Sequence, residues 1–260
     1  MSSGGLFKQI RILILLVVLF FVAMNSWLTR LRTTDWDNTL WMVVYPINAD
    51  GSPVTQRYID SLSGESFKRI KTFFADQGRH YKLGIAAPLT VRLAPQVEQP
   101  PPMPDHNSGP LAVMLWSLRL RYWAFRHDTY DGPSPDIRMF VVYHDPDQHP
   151  RLQHSVGLQK GMIGVVNAFA SDAMEKSNDV VIAHEFLHTV GATDKYNPVN
   201  NQPLYPDGFA EPARSPLYPQ RLAEIMGGRI AVSEHQALMP KSLSSAVIGR
   251  KTAQEIRWLN

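Results

Sequence analysis

Residues 180–196 read VVIAHEFLHTVGATDKY, and the fold turns on whether they form a helix that stops at a glycine. Val180, Val181, Ile182, Phe186, Leu187 and Val190 give such a helix an apolar body to bury. Asn178 or Asp179 supplies a cap at one end and Gly191 a stop at the other, so a helix is predicted over 178–190. On it His184 and His188 stand four residues apart, and both side chains leave the same face one turn apart. Glu185 projects about 100° round the helix from His184. Two imidazoles so placed can reach one zinc ion at ~2.0–2.1 Å each, with the carboxylate beside the metal and outside its ligand set. Zinc lowers the pKa of a bound water towards ~7, so a neighbouring carboxylate suffices as general base. The plain alternative is a buried helix with polar decoration, and burying two histidines and a glutamate without a metal or partner is costly.

The stretch resembles the metzincin branch of the zincin metallopeptidases. Their extended pattern H-E-x-x-H-x-x-G-x-x-H stands here as His184, Glu185, His188 and Gly191, with Asp194 in place of the third histidine, the form found in snapalysin-type proteases. The resemblance implies Zn2+ held by His184, His188 and Asp194, a water in the fourth position and Glu185 as general base. It also implies a methionine turn beneath the metal, for which Met226 in EIMGG (224–228) is the candidate; ordinary core filling is the other reading of Met226. In the other large zincin branch the third ligand is a glutamate on a downstream helix, which makes Glu224 the alternative third ligand. Glu211 is a weaker choice beside the helix-breaking Pro212. Tyr196, Tyr205, Tyr218 and His235 all lie downstream and are candidates to stabilise an oxyanion, while Lys195 and Tyr196 equally suit pinning the turn that carries Asp194. The function implied is a zinc metalloendopeptidase acting on peptide or protein substrates. Its rivals are a non-catalytic, zinc-stabilised, membrane-anchored binding protein and a secreted peptidase with a cleaved signal peptide.

Working outward, Leu40–Pro46, Leu89–Leu93, Ile137–Tyr143 and Gly161–Val166 read as strands, and in the resembled family a strand in the last region forms the sheet edge that pairs with substrate. Ser66–Gln77 has the helical period with Gly78 as a stop, Leu111–Arg126 reads as an apolar helix packed on the sheet, and Ser242–Leu259 closes the chain as a helix. Asn48–Pro53 is a turn, Pro95–Pro110 a proline-rich loop, and 191–241 irregular. His144, His149 and His154 recur at five-residue spacing around Asp145 and Asp147, which aligns nothing on a helix or strand; a solvated loop is the reading and a second metal site the alternative. The class expected is an α/β (α+β) zincin-like domain at 33–260, with a mixed sheet and active-site helix in an upper lobe (about 38–190) and an irregular lower lobe (about 191–260).

Composition bounds the rest. Residues 1–32 carry Lys8, Arg11, Arg30 and Arg32 and no acid, which leaves 22 basic and 23 acidic residues beyond them. A near-neutral folded part offers no basic face for nucleic acid. With no cysteine, disulfides, thiol nucleophiles and cysteine zinc sites are excluded. Ile12–Met24 is uninterrupted apolar sequence, Trp27 suits an interfacial anchor, and 18 residues separate Arg11 from Arg30. The expectation is one N-terminal transmembrane helix within 1–32, a single-pass membrane protein, and a catalytic domain on the extracytoplasmic side.

Overall fold

A computed structural model describes residues 8–17, 19–20, 24, 35–103, 109–152, 155–159 and 161–259. Helix α1 (8–17) is the longest described run of the N-terminal segment. Among the described residues no helix is long and apolar enough to cross a membrane. This corrects the expected transmembrane helix and the single-pass, extracytoplasmic placement that followed from it. Trp27 and the flanking Arg30 and Arg32 lie outside the described residues.

The domain is built on a five-stranded sheet in the order β2-β1-β3-β5-β4. Its strands are β1 (Leu40–Asn48), β2 (Leu89–Leu93), β3 (Ile137–His144), β4 (Val156–Leu158) and β5 (Ile163–Phe169). All pairings are parallel except β4 with β5, so the sheet is mixed, as expected. The inner strands are buried on both faces, which is why they read as continuous apolar runs. Met42, Val44, Met139 and Val141 point to one face, where α3 (Lys68–His80) and α5 (Glu175–Thr189) cover them with Ile70, Phe74, Ile182 and Phe186. Val43, Tyr45, Phe140 and Val142 point to the other, where α4 (Pro110–Arg126) supplies Leu120, Trp123 and Ala124. The outer side of α4 is apolar too: Leu111, Met114, Leu115, Leu118, Tyr122 and Phe125 are exposed in one helical stripe.

Several boundaries differ from expectation for local reasons. Strand β1 continues through Pro46 because the Pro46 carbonyl accepts from Val97 N on the β2 side, beyond the end of β2 at Leu93. The missing N–H therefore faces no strand. Helix α2 (Pro53–Ser61) follows the expected turn, with Ser52 accepting from Thr55 N and proline at the first helical position. Gly78 lies inside α3 instead of ending it; a Cβ there would meet Pro88 and Leu83 side chains at 3.1 and 3.2 Å. The predicted closing helix over 242–259 breaks into a 3-10 turn at Leu243–Ser245, strand β9 (Ala246–Val247) and a short α6 (Arg250–Glu255). Strand β9 pairs with β6 (Ala223–Glu224), and β7 (Ile230–Ala231) pairs with β8 (Ala237–Leu238); otherwise 191–241 is irregular, as expected.

Candidate metal centre

Helix α5 starts three residues earlier than predicted, at Glu175, so Asn178 and Asp179 are buried inside it and cap nothing. Asn178 instead latches the helix to the end of β5, accepting from Phe169 N (3.1 Å) and donating to Phe169 O (2.9 Å). Asp179 receives Arg69 Nε at 2.5 Å. The two partners respond oppositely: Arg69, the more exposed, is raised by its carboxylates, whereas burial pushes Asp179 up to about 6 in spite of the arginine. We take the burial of Asp179 as decisive, because its side chain is 4% exposed against 38% for Arg69.

At its other end α5 stops as the glycine predicted. Gly191 has φ of 110°, and a Cβ there would lie 2.7 Å from Gln159 Nε2. The Ala192 amide donates back to Leu187 O (3.0 Å), closing the last turn. The chain then reverses and brings Asp194 to the two histidines. Asp194 Oδ1 is 3.2 Å from both His184 Nε2 and His188 Nε2, and those nitrogens are 3.1 Å apart. Each Nδ1–H donates to a backbone carbonyl, His184 to Ile225 (2.8 Å) and His188 to Ala192 (2.9 Å). These bonds orient both rings so that their Nε2 atoms face the aspartate, as donors to it or, with the proton lost, as lone pairs for a metal.

The donor set fits zinc. Three ligands of a tetrahedral ion at ~2.0–2.1 Å stand about 3.3 Å apart, close to the separations found. His184, His188 and Asp194 are the only such group of metal-capable side chains among the described residues. Electrostatics agree. Burial, the largest influence, pushes His184 down, yet the Asp194 hydrogen bond and the Glu185 charge lift it to about 9. Burial works against Asp194 as well, but hydrogen bonds from both histidines hold it below the usual carboxylate range. The pocket thus favours positive charge at its centre.

Glu185 is buried beside this triangle, and its Oε2 has no hydrogen-bond partner. Burial pushes its pKa upward against the pull of the two histidines. Glycine is required opposite it: a Cβ on Gly157 would lie 2.6 Å from both Glu185 O and His188 Cβ, and 3.1 Å from Glu185 Oε2. Gly157 belongs to β4, which is the sheet edge. The strand expected at that edge, 161–166, is β5 and lies inside the sheet between β3 and β4. A cavity of about 680 Å³ opens between β5, α5 and the lower lobe, lined by His184, Glu185 and Tyr196 among others.

The other named residues separate clearly. Glu224, the alternative third ligand, is fully buried and turned elsewhere, accepting from Gly227 N (2.7 Å), Gly249 N (3.0 Å) and Thr252 Oγ1 (2.7 Å). It ties the turn at 224–228 to the start of α6. Met226 in that turn is fully buried in the core with Leu187, Val190 and Ala192, and its carbonyl accepts from Lys195 N (2.8 Å). The turn runs against α5, since the neighbouring Ile225 carbonyl holds His184. Tyr196 lines the cavity with its ring 6.4 Å from that of His184, and burial together with the Asp194 and Glu185 charges raises its phenol to about 12. Tyr205 and Tyr218 pack on Phe209 instead, and His235 is exposed; none of the three lines the cavity. Lys195 does pin the metal turn, but through a residue the sequence did not flag. Its Nζ donates to Glu255 Oε2 (2.7 Å) and Thr193 O (2.8 Å), and Glu255 also accepts from Thr193 N and Oγ1. His144 bonds Asn167 (3.0 Å) and packs on His149, forming no metal group among the described residues; His154 lies outside them.

No protein-family model matches the chain, and no curated protein matches it. Among solved structures it is similar to a chain in one described as "Structure of a chaperone-substrate complex", at 13% identity and a TM-score of 0.40. That match covers 84% of this chain and 33% of the other, so the chain spans about a third of its length.

Proposed function

We propose that the chain is a zinc-dependent peptidase. The observation that carries this reading is the donor triangle of His184, His188 and Asp194 with an unpartnered, buried Glu185 oxygen beside it. When bound there, zinc supplies a Lewis acid that polarises a peptide carbonyl and acidifies water. Glu185 takes the proton of the attacking water and delivers it to the leaving amine. Its lifted proton affinity suits both halves of that transfer. Tyr196 keeps its phenolic proton at neutral pH and donates it as a hydrogen bond to the developing oxyanion. The His184 and His188 bonds to Ile225 and Ala192 hold the imidazoles still through the cycle. A site that only stabilised the fold would be closed by its ligands; this one faces the cavity.

The test is Glu185→Gln. The variant is expected to keep one zinc per chain by metal analysis and to lose at least ~100-fold of the hydrolysis of a mixed peptide library, within the range expected for a general base. Cleavage by E185Q at a rate near wild type overturns the reading.

A further inference from the structure

The cavity beside the metal centre carries a charge pattern that hydrolysis itself does not use. Arg229 and Lys241 both line it, and neither makes a hydrogen bond or ion pair with a described residue. Arg229 is half-buried and Lys241 exposed; of the other cations withdrawn from solvent, Lys195, Arg69, Arg138 and Arg214 have acids beside them and Lys71 has none. Among the described residues the only acid lining the cavity is Glu185, which belongs to the candidate metal centre. The lining also holds large apolar side chains, Phe169, Val180, Val181, Ile225 and Met239, alongside the neutral polar Asn167, Asn178 and Asn201. Arg229 is placed by the turn that also positions His184, because Gly228 takes φ of 70° immediately after Ile225–Gly227. Two cations that no described acid neutralises, beside a partly apolar lining, favour anions at the cavity.

We infer that this cavity selects substrate segments in which a carboxylate stands close to a large apolar side chain. The apolar side chain occupies the wall, and the carboxylate meets the planar fork of Arg229, with Lys241 as a second, mobile charge. The volume of about 680 Å³ suits a few side chains and excludes a folded domain. A glutamate or aspartate side chain and a free C-terminal carboxylate offer the same chemistry. The inference rests on the peptidase reading only in taking the ligand to be a peptide.

The test measures binding and not turnover. Four fluorescein-labelled heptapeptides share a Leu-Phe centre and differ in carrying glutamate or glutamine two residues away and a free or amidated C-terminus. Anisotropy titrations use the full E185Q chain, with zinc added and after chelation. Peptides bearing a carboxylate are expected to bind about tenfold more tightly than the neutral one, with the advantage shrinking between 50 and 300 mM salt. The glutamate and C-terminus arms show which carboxylate is read. Adding Arg229→Gln or Lys241→Gln should cut the advantage, the pair should abolish it, and Arg229→Glu should favour a lysine-bearing peptide. Melting curves check folding, and Lys241→Gln, on an exposed side chain, keeps the test open if Arg229 variants fail to fold. Equal binding of all four peptides, no binding of any, or a preference that survives the double variant overturns the inference. Carboxylate selectivity without zinc or hydrolysis sinks the peptidase reading alone; hydrolysis without selectivity sinks this inference alone.

Discussion

Replacing Glu255 with glutamine tests how the metal turn is held. Glu255 Oε2 takes the Lys195 ammonium at 2.7 Å and the Thr193 amide at 3.0 Å, while Oε1 takes the Thr193 hydroxyl at 2.8 Å. The Lys195 side chain is 5% exposed and that of Glu255 18%. A glutamine keeps one acceptor oxygen, so its amide nitrogen faces either the ammonium or the Thr193 donors. Removing one partner of a buried ion pair costs ~3–5 kcal/mol, because the remaining charge stays desolvated. In a domain of this size 1 kcal/mol moves Tm by ~2–4 °C, so a fall of roughly 10 °C is expected. Thr193 and Lys195 flank Asp194, and loosening them should weaken zinc by ~10–100-fold, as loss of outer-shell partners does. Thermal melts and zinc titration against a competing chelator give both numbers. Lys195→Met combined with Glu255→Leu should recover most of the Tm, since a buried pair replaced by apolar groups is close to neutral. An E255Q chain with Tm within 2 °C of wild type and unchanged zinc affinity would refute this reasoning.

Four further outcomes can be checked together. Asp194→Ala should reduce zinc affinity by more than ~100-fold, beyond what outer-shell losses cause. Glu224→Ala should keep stoichiometric zinc but cost of order 3 kcal/mol in urea unfolding, because it removes the acceptor of Gly249 N and Thr252 Oγ1 and one of the two acceptors of Gly227 N. Gly157→Ala drives a methyl group into the α5 backbone at 2.6 Å; a loss of ~1–3 kcal/mol is expected, with peptide cleavage reduced at least tenfold. Asp179, raised by burial to about 6, binds its proton more tightly folded than unfolded. Its contribution to stability is therefore fullest below about pH 4 and falls as pH rises through 6, by ~3 kcal/mol for a gap of two units. Asp179→Asn should flatten that slope in urea melts from pH 4 to 7.

What the sequence disclosed is local, and what it hid is long-range. A histidine pair at helical spacing followed by a glycine and an aspartate lies within 11 residues, so its geometry follows from one helix and one turn. The alternation of Leu89–Leu93 reflects one buried face, which is why this edge strand reads with its true limits. Glu255 serves Thr193 from 62 residues away, and Gly157 meets His188 across the sheet edge; neither carries a periodic signal. Gly78 and Pro46 were read as stops because local rules price them without their neighbours. The N-terminal apolar run reads as a span by its length between Arg11 and Arg30, whereas among the described residues no helix is long and apolar enough to cross a membrane.

The tie from Glu255 to the Asp194 turn also sets when the site can come into being. The histidine helix docks on strands that precede it in the chain, so His184 and His188 can be in place early in synthesis. The Asp194 turn depends on a carboxylate 62 residues beyond Thr193, in α6, and the carbonyl of Ile256 just after that helix accepts Trp36 Nε1 (2.6 Å) across 220 residues. Until that clasp closes, the nascent chain carries the two histidines without a fixed aspartate turn beside them.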